Sequence, residues 1–468
     1  MASEPFYWQV TDDHPVRYHG RLDHERCVAL HNEIIRRGWI GSGRPLDQLE
    51  TENWFQHYGQ DAEDCRHLLS QDLVAFLEQA HMIKNDNQFC LFYHVTGLQG
   101  PDRMWETFDW MFEDEDKHRY LTLYGATSMA SHPDGLAFDQ RENRAVMQMS
   151  IHDSDVTLNG RTPWFPLEVT LSAWLDMIIV GKIQAVDDSF QGSEKKEPWI
   201  CHHWNNFMVQ ETADAFNALV ESIETRMRNQ GFSVPDILEP LLPDSVMDVL
   251  EIPPGFARSF VAKARHPAFT YIAPGLSVPT IQSFAQQPFY RGDDLHQEEE
   301  LDAASLTVEP ILLFASTESF QLADRKERED PPFQHPHDEL SSVPAGVYFL
   351  ESERQAVHGF EDAVKLVLPF GVGGNGFART SDGLQIGDER NSEDSSCGNR
   401  YTDLYQQGWN PFIEIHWVRL AKVLESWKGM VERGDWKVGA NGIEGTMEAF
   451  KEADTEEGWW KFVVPIEW

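Results

Sequence analysis

Three stretches of this sequence bring together residues that could do chemistry. The first is "LPFGVGGNGFARTS" (Leu368–Ser381), in which Gly371, Gly373, Gly374 and Gly376 follow an apolar run. Glycines let successive backbone N–H groups turn towards one point and form an anion nest. Gly373 and Gly374, with Arg379 and Ser381 behind them, are therefore candidate anion- or substrate-binding residues. A dinucleotide fingerprint needs a helix directly after its glycines, and "TSDGLQIGDERN" reads as loop. The plainer reading is a hairpin or bulge that needs positive φ. The second is the trio Glu414, His416 and Arg419. His416 and Arg419 are three apart and so neighbours on a helix, and His416 is the natural acid/base. Glu414 falls in a first turn, where the helix dipole favours a carboxylate. A buried, hydrogen-bonded polar cluster is the alternative. The third is "QHPHDEL", where His335, His337 and Glu339, with the more distant His358, resemble a metal set. Pro331, Pro332 and Pro336 argue for loop, so an exposed histidine pair is the default and metal the alternative.

Other groupings resolve into ordinary structure. In "ICHHWNNF", Cys201 and His202 point opposite ways if extended and cannot form a dyad. The acids Glu113–Asp116 read as a solvated face, or as an anionic lip for a cationic ligand. "HDSDVTLNG" lacks an acid at the twelfth position of a calcium loop and carries the Asn-Gly hairpin signal instead.

Composition limits the function classes. The 468 residues include 16 Trp and 28 Phe, which favours a folded chain. There are 38 Lys+Arg against 77 Asp+Glu, a formal charge of −39. That balance disfavours a DNA-binding surface, whose phosphates want cations, and suits a cationic substrate. The five cysteines are scattered without CxxC, so neither a zinc knuckle nor a disulfide framework is expected. No apolar run reaches the length of a membrane span. A soluble, cytoplasmic protein is expected, with no membrane partner and no cofactor.

The elements that must position these residues mix helices and strands without βαβ alternation. The expected class is α+β, or irregular α/β. Helices are predicted over "LDHERCVALHNEIIRRGW", "CRHLLSQDLVAFLEQAH", from Pro166, over Met208–Met227 and within "IPPGFARSFVAKARHP". Strands are predicted at Phe89–Val95, "RYLTLYG", "RAVMQMSIH", "PILLFAS", "GVYFLES" and "AVKLVLPF". A long amphipathic helix should begin at Asn410 with Pro411 at its first position. Its apolar stripe is Ile413, Trp417, Leu420, Leu424, Trp427 and Val431, and Gly434 stops it. A short helix in "IEGTMEAFKEA" and a final strand in "WWKFVVPIEW" complete the chain. The expected organisation is an N-terminal domain over 1–285, an acidic polar linker with one strand over 286–345, and a C-terminal α+β domain over 346–468.

"YIAPGLSVPT" (Tyr271–Thr280), "LYQQGWNPFIEIHWVRLAKVLESWKGMVERGDWKVG" and "MEAFKEADTEEGWWKFVVPIEW" resemble a large group of filamentous-fungal proteins of similar length that accompany natural-product genes. The activity this resemblance implies is that of the arginine-containing cyclodipeptide synthases, which join two amino acids taken from aminoacyl-tRNA into a diketopiperazine. No motif of that group assigns catalytic positions here. An acidic protein suits a guanidinium and suits tRNA phosphates poorly. The implied chemistry is acyl transfer, with a base for the attacking amine and donors for the oxyanion. His416 as base, with the glycine-loop N–H groups as donors, is the constellation it would use. Two alternatives stand beside it: a metal-dependent small-molecule enzyme using His335, His337 and His358, and a non-catalytic binding or scaffolding protein.

Overall fold

The computed structural model describes residues 6–108, 117–127, 135–148, 164–192, 194–250, 252–289, 307–321, 333, 342–353, 360–386, 401–413 and 417–468. The fold is α+β. Chain contacts divide it into two units. Unit 1 is Met1–His202 with Trp409–Ile415 and Glu467–Trp468, and unit 2 is His203–Gly408 with His416–Ile466.

Unit 1 opens with helix α1 (His24–Gly41), capped by Asp23, whose side chain accepts the Arg26 N–H. Cys27, Leu30 and Ile34 form its buried stripe, as their spacing predicts. Strand β1 (Thr51–Asn53) leads into α2 (Trp54–Tyr58), then α3 (Gln60–Cys65) and α4 (Gln71–Leu77). Strand β2 (His81–Ile83) returns antiparallel to β1. A second sheet runs in the order β3 (Val95–Leu98), β4 (Tyr120–Ala126), β5 (Gly135–Asp139), β6 (Arg144–Gln148) and β7 (Phe165–Pro166), all antiparallel. Helix α5 (Leu167–Ile179) starts directly after Pro166 and packs on α1. A hairpin of β8 (Ile183–Ala185) and β9 (Trp199–Cys201) follows.

Residues 89–94 are not the predicted strand. They are buried, but the Val95 N–H closes a turn on the Phe92 carbonyl, with His94 at φ 63°. Burial of a short apolar run does not distinguish strand from turn. The Asn-Gly hairpin and the acidic run at Glu113–Asp116 lie outside the described residues.

Unit 2 is built on an eight-stranded sheet. Helices α6 (Asn206–Asn229), α7 (Asp244–Val249) and α8 (Phe256–Lys263) precede it, with α9 (Ile281–Phe284) after its first hairpin. That hairpin is β10 (Tyr271–Ala273) and β11 (Leu276–Ser277). Strand β12 (Thr307–Val308) pairs separately with β15 (Ser352–Glu353). The main sheet continues through β13 (Ile311–Gln321), β14 (Ser342–Phe349), β16 (Val364–Val372) and β17 (Tyr401–Leu404), with β18 (Val438–Gly439) and β19 (Gly442–Ile443) at the other end. The strand run β13, β14 and β16 matches three predicted strands.

Several sequence expectations are corrected here. The boundary near 285 and the linker over 286–345 do not hold. Ser277 of β11 pairs with Ala315 of β13, so hydrogen bonding crosses the proposed boundary within one sheet. The C-terminal helix starts at Leu420, not Asn410: α10 is Leu420–Arg433, closed by Gly434 at φ 81°. Asn410 does cap, but it caps a turn, accepting the N–H groups of Phe412 and Ile413 at 2.9 and 3.2 Å. Ahead of α10 the chain runs extended beside residues 362–364, with the Val364 N–H on the Val418 carbonyl and the Leu420 N–H on the Asp362 carbonyl. That ladder outcompetes the local helix signal. Leu420, Leu424, Trp427 and Val431 are buried as predicted, whereas Trp417 is exposed. Residues Met447–Asp454 form a 3-10 helix, and the last ten residues hold a 3-10 turn at Trp459–Lys461 with no strand.

Candidate functional site

The glycine loop does cradle an anion, and the anion belongs to the chain. The N–H groups of Gly373 and Asn375 donate to Asp454 Oδ2 at 3.0 and 2.9 Å. Those of Phe377 and Ala378 donate to Oδ1 at 2.9 and 3.1 Å. Asn375 Nδ2 also donates to the Asp454 carbonyl at 3.0 Å. Gly373 needs its glycine, because φ is 93° and a Cβ would stand 2.5 Å from the Ile386 carbonyl oxygen. Gly374 sits exposed at the tip. Arg379 folds back on its own loop, with Nη1 donating to the carbonyls of Gly376 and Ala378 and its guanidinium over Trp459. The Ser381 N–H donates to the Gln406 carbonyl. Of Gly373, Gly374, Arg379 and Ser381, Gly373 donates to a carboxylate, and that carboxylate is the chain's own Asp454.

Arg419 is likewise committed. It is buried, with Nε donating to Asp362 Oδ2 at 2.8 Å and Nη2 to Glu211. Burial opposes its charge, but Asp362 and Glu211 outweigh that and raise its pKa. This is the polar-cluster alternative for Arg419: it ties the lead-in of α10 to α6 and to the entry of β16. Glu414, His416, His335, His337 and His358 lie outside the described residues. Among the described residues no group of His, Cys, Asp or Glu is placed to hold a metal.

A further candidate in unit 1 carries no sequence motif. A cavity of about 360 Å³ is lined by His31, His57, His81, Tyr58, Asp86 and Gln99 among others. Local sequence explains how these are held. Asn53 and Gln56 form a capping box, each side chain bonding the other's backbone N–H, which starts α2 at Trp54. Trp54 is buried and donates to the Gln99 carbonyl at 2.9 Å, fixing α2 on the cavity wall. One turn later His57 comes back over β1, and its Nδ1–H donates to Glu52 Oε1 at 2.8 Å. A carboxylate acceptor at Nδ1 leaves the lone pair on Nε2.

Burial disfavours a proton on the other two histidines. His31 Nε2–H donates to the His81 carbonyl at 2.8 Å, so Nδ1 accepts from the Tyr124 hydroxyl at 2.9 Å. Burial lowers the His31 pKa to about 4 and also lowers that of His81. Asp86 is the carboxylate of the lining, and Arg44 Nη1 occupies it at 2.5 Å, with the N–H groups of Gln88 and Phe89 on its other oxygen. The cavity therefore presents imidazoles, a phenol and amides, together with apolar wall from Ile35 and Leu91. The arrangement can accept and return a proton at one oriented imidazole. Comparison with family models, curated proteins and solved structures finds no match to this chain.

Proposed function

We propose that the histidine-lined cavity of unit 1 is the active site of a biosynthetic enzyme, and that its reaction is amide-forming acyl transfer. The observation that carries this reading is the Glu52–His57 pair at 2.8 Å beside the cavity. A base held in one tautomer by a carboxylate is what deprotonation of an attacking amine requires. The resemblance gives the concrete form: an arginine-containing cyclodipeptide synthase fed by aminoacyl-tRNA. In each of two steps a neutral α-amine attacks an aminoacyl ester carbonyl and the C–N bond forms. His57 Nε2 takes the amine proton and returns it to the departing ribose hydroxyl. Thr96, Asn87 and Gln99 line the cavity and supply neutral polar groups beside the reacting carbonyl.

The lining also limits which part of the substrate enters. With Asp86 engaged by Arg44, no lining carboxylate among the described residues is left to pair a guanidinium. The cavity then receives the amine and carbonyl end, and the arginine side chain is recognised elsewhere. The test is expression of the protein in a bacterial host, with mass spectrometry of the culture for arginine-containing diketopiperazines. Their appearance with the wild-type chain supports the reading. Soluble protein without such products removes the cyclodipeptide form.

A further inference from the structure

The histidine cavity carries a second set of groups beside the Glu52–His57 pair, and these bear on what it holds. Its volume of about 360 Å³ lies at the small end of ligand pockets. Every lining residue falls within the described stretch 31–99. Gln99 is fixed through its backbone. Its N–H donates to the Leu123 carbonyl at 2.9 Å, and its own carbonyl takes the Trp54 indole N–H at 2.9 Å. Its side-chain amide makes no hydrogen bond among the described residues, and neither does the Thr96 hydroxyl. A Cβ at Gly125 of β4 would stand 2.8 Å from Thr96 Oγ1 and 3.3 Å from Gln99 Nε2, so the two polar ends lie together over bare strand. The half-buried His81 ring is also without a hydrogen bond among the described residues. The carboxylate of the lining, Asp86, is held by Arg44 and by two backbone N–H groups. Ile35, Phe89 and Leu91 are buried apolar wall. The lining thus offers neutral hydrogen-bonding groups between apolar surfaces.

We propose that this cavity binds a neutral cyclic amide, gripped along one edge by the Gln99 carboxamide. A carboxamide presents a C=O acceptor beside an NH₂ donor. An amide locked cis in a ring presents its N–H and C=O on one edge, so the two pair through two parallel hydrogen bonds. A trans amide points those groups opposite ways and makes one such bond at most. Open-chain peptide bonds are almost always trans, so the bidentate grip selects a ring. Thr96 and His81 are left for the ring's remaining polar atoms, and the apolar wall covers its faces. Two kinds of ring carry this edge, a diketopiperazine and a pyrimidine base such as uracil. The inference rests on the cavity being a ligand site, as proposed above, and not on the reaction assigned to it.

The test is calorimetric titration of the full chain with four probes: glycine anhydride (the unsubstituted diketopiperazine), uracil, the open-chain N-acetylglycine N-methylamide, and the cation agmatine. Gln99→Met and Thr96→Val are titrated in parallel. The structural bonds of Gln99 come from its backbone and Thr96 is exposed, so both variants should melt with wild type. The proposal expects saturable binding of a ring amide, about tenfold or more tighter than the open-chain amide and about tenfold weaker in Gln99→Met. Preference for glycine anhydride identifies a cyclic dipeptide as the ligand, and preference for uracil identifies a base. Four results would overturn the proposal: no saturable binding of either ring, equal binding of the open-chain amide, binding undiminished in both variants, or tighter binding of agmatine. The last would assign the site to the carboxylates Asp86 and Asp102. Diketopiperazine formation is assayed separately. Ring binding without product removes the reaction and keeps the ligand class, and product without ring binding does the reverse.

Discussion

The Gly373 N–H and the Asp454 carboxylate meet at 3.0 Å although 81 positions separate them in the chain. The loop that looks built for an external anion is a clasp, and it fastens the 3-10 helix Met447–Asp454 to the end of β16. Four N–H donors to one carboxylate are charge-assisted bonds, the strong kind. Asp454→Asn turns one acceptor into an NH₂ group facing two N–H donors. It should cost about 3 kcal/mol. Gly373→Ala should destabilise through positive φ and the Ile386 contact. Urea denaturation of both variants checks this, and unchanged midpoints would contradict the clasp.

The Asp362–Arg419–Glu211 group is a second fastening within unit 2. Asp362 is fully buried, and its Oδ1 has no partner among the described residues. Arg419→Met would strand that carboxylate, a loss of about 3–5 kcal/mol. Changing Asp362 to Asn at the same time should recover part of it. A double-mutant cycle by chemical denaturation measures the coupling, and additive losses would show that the pair does not act as one unit.

The stability of unit 1 should depend on pH through two buried groups of opposite sign. His31 is held near pKa 4 by burial, against 6.5 unfolded. Between those values the unfolded chain binds the extra proton, so this contribution is present above about pH 6.5 and is lost as pH falls through 4. Glu168 is buried, with Cys27 Sγ 3.9 Å from its Oε2, and burial raises its pKa to about 7. Its contribution is full below the unfolded value of 4.5 and is lost as pH rises through 7. Glu168→Gln should therefore gain about 2–3 kcal/mol relative to wild type between pH 5 and pH 8. Denaturation midpoints of the two proteins across that range decide it, and parallel curves would place an ordinary carboxyl at Glu168.

How much of this was legible in the sequence depends on range. The helical stripes at Cys27–Leu30–Ile34 and Leu420–Leu424–Trp427–Val431 follow from local spacing and are buried as read. The positive-φ turn at Gly373 and Gly376 was legible too, since glycine clusters write backbone geometry locally. Its ligand was not, because nothing near Asp454 marks it as the partner of a loop so far away. The helix start failed for a related reason. Asn410 and Pro411 are sound local signals, but the ladder to residues 362–364 is a tertiary fact. The Glu52–His57 pair left a trace in the capping box Asn53–Gln56, which predicts a helix at Trp54 and brings His57 back over Glu52. The lining of the cavity by His31 and His81 had no such trace, because three separate elements deliver the histidines.

The central claim is that His57 is the base, oriented by Glu52. His57 is partly exposed, so His57→Gln should fold with an unchanged melting temperature. Glu52→Gln should retain binding but lose about 10²-fold in kcat, because the ring would no longer be held in one tautomer. The most direct measurement compares diketopiperazine formation by wild type and His57→Gln, purified at equal concentration and supplied with aminoacyl-tRNA. The account predicts product from the wild type and a loss of about 10²–10⁴-fold in the variant. Product formed by His57→Gln at the wild-type rate would contradict it.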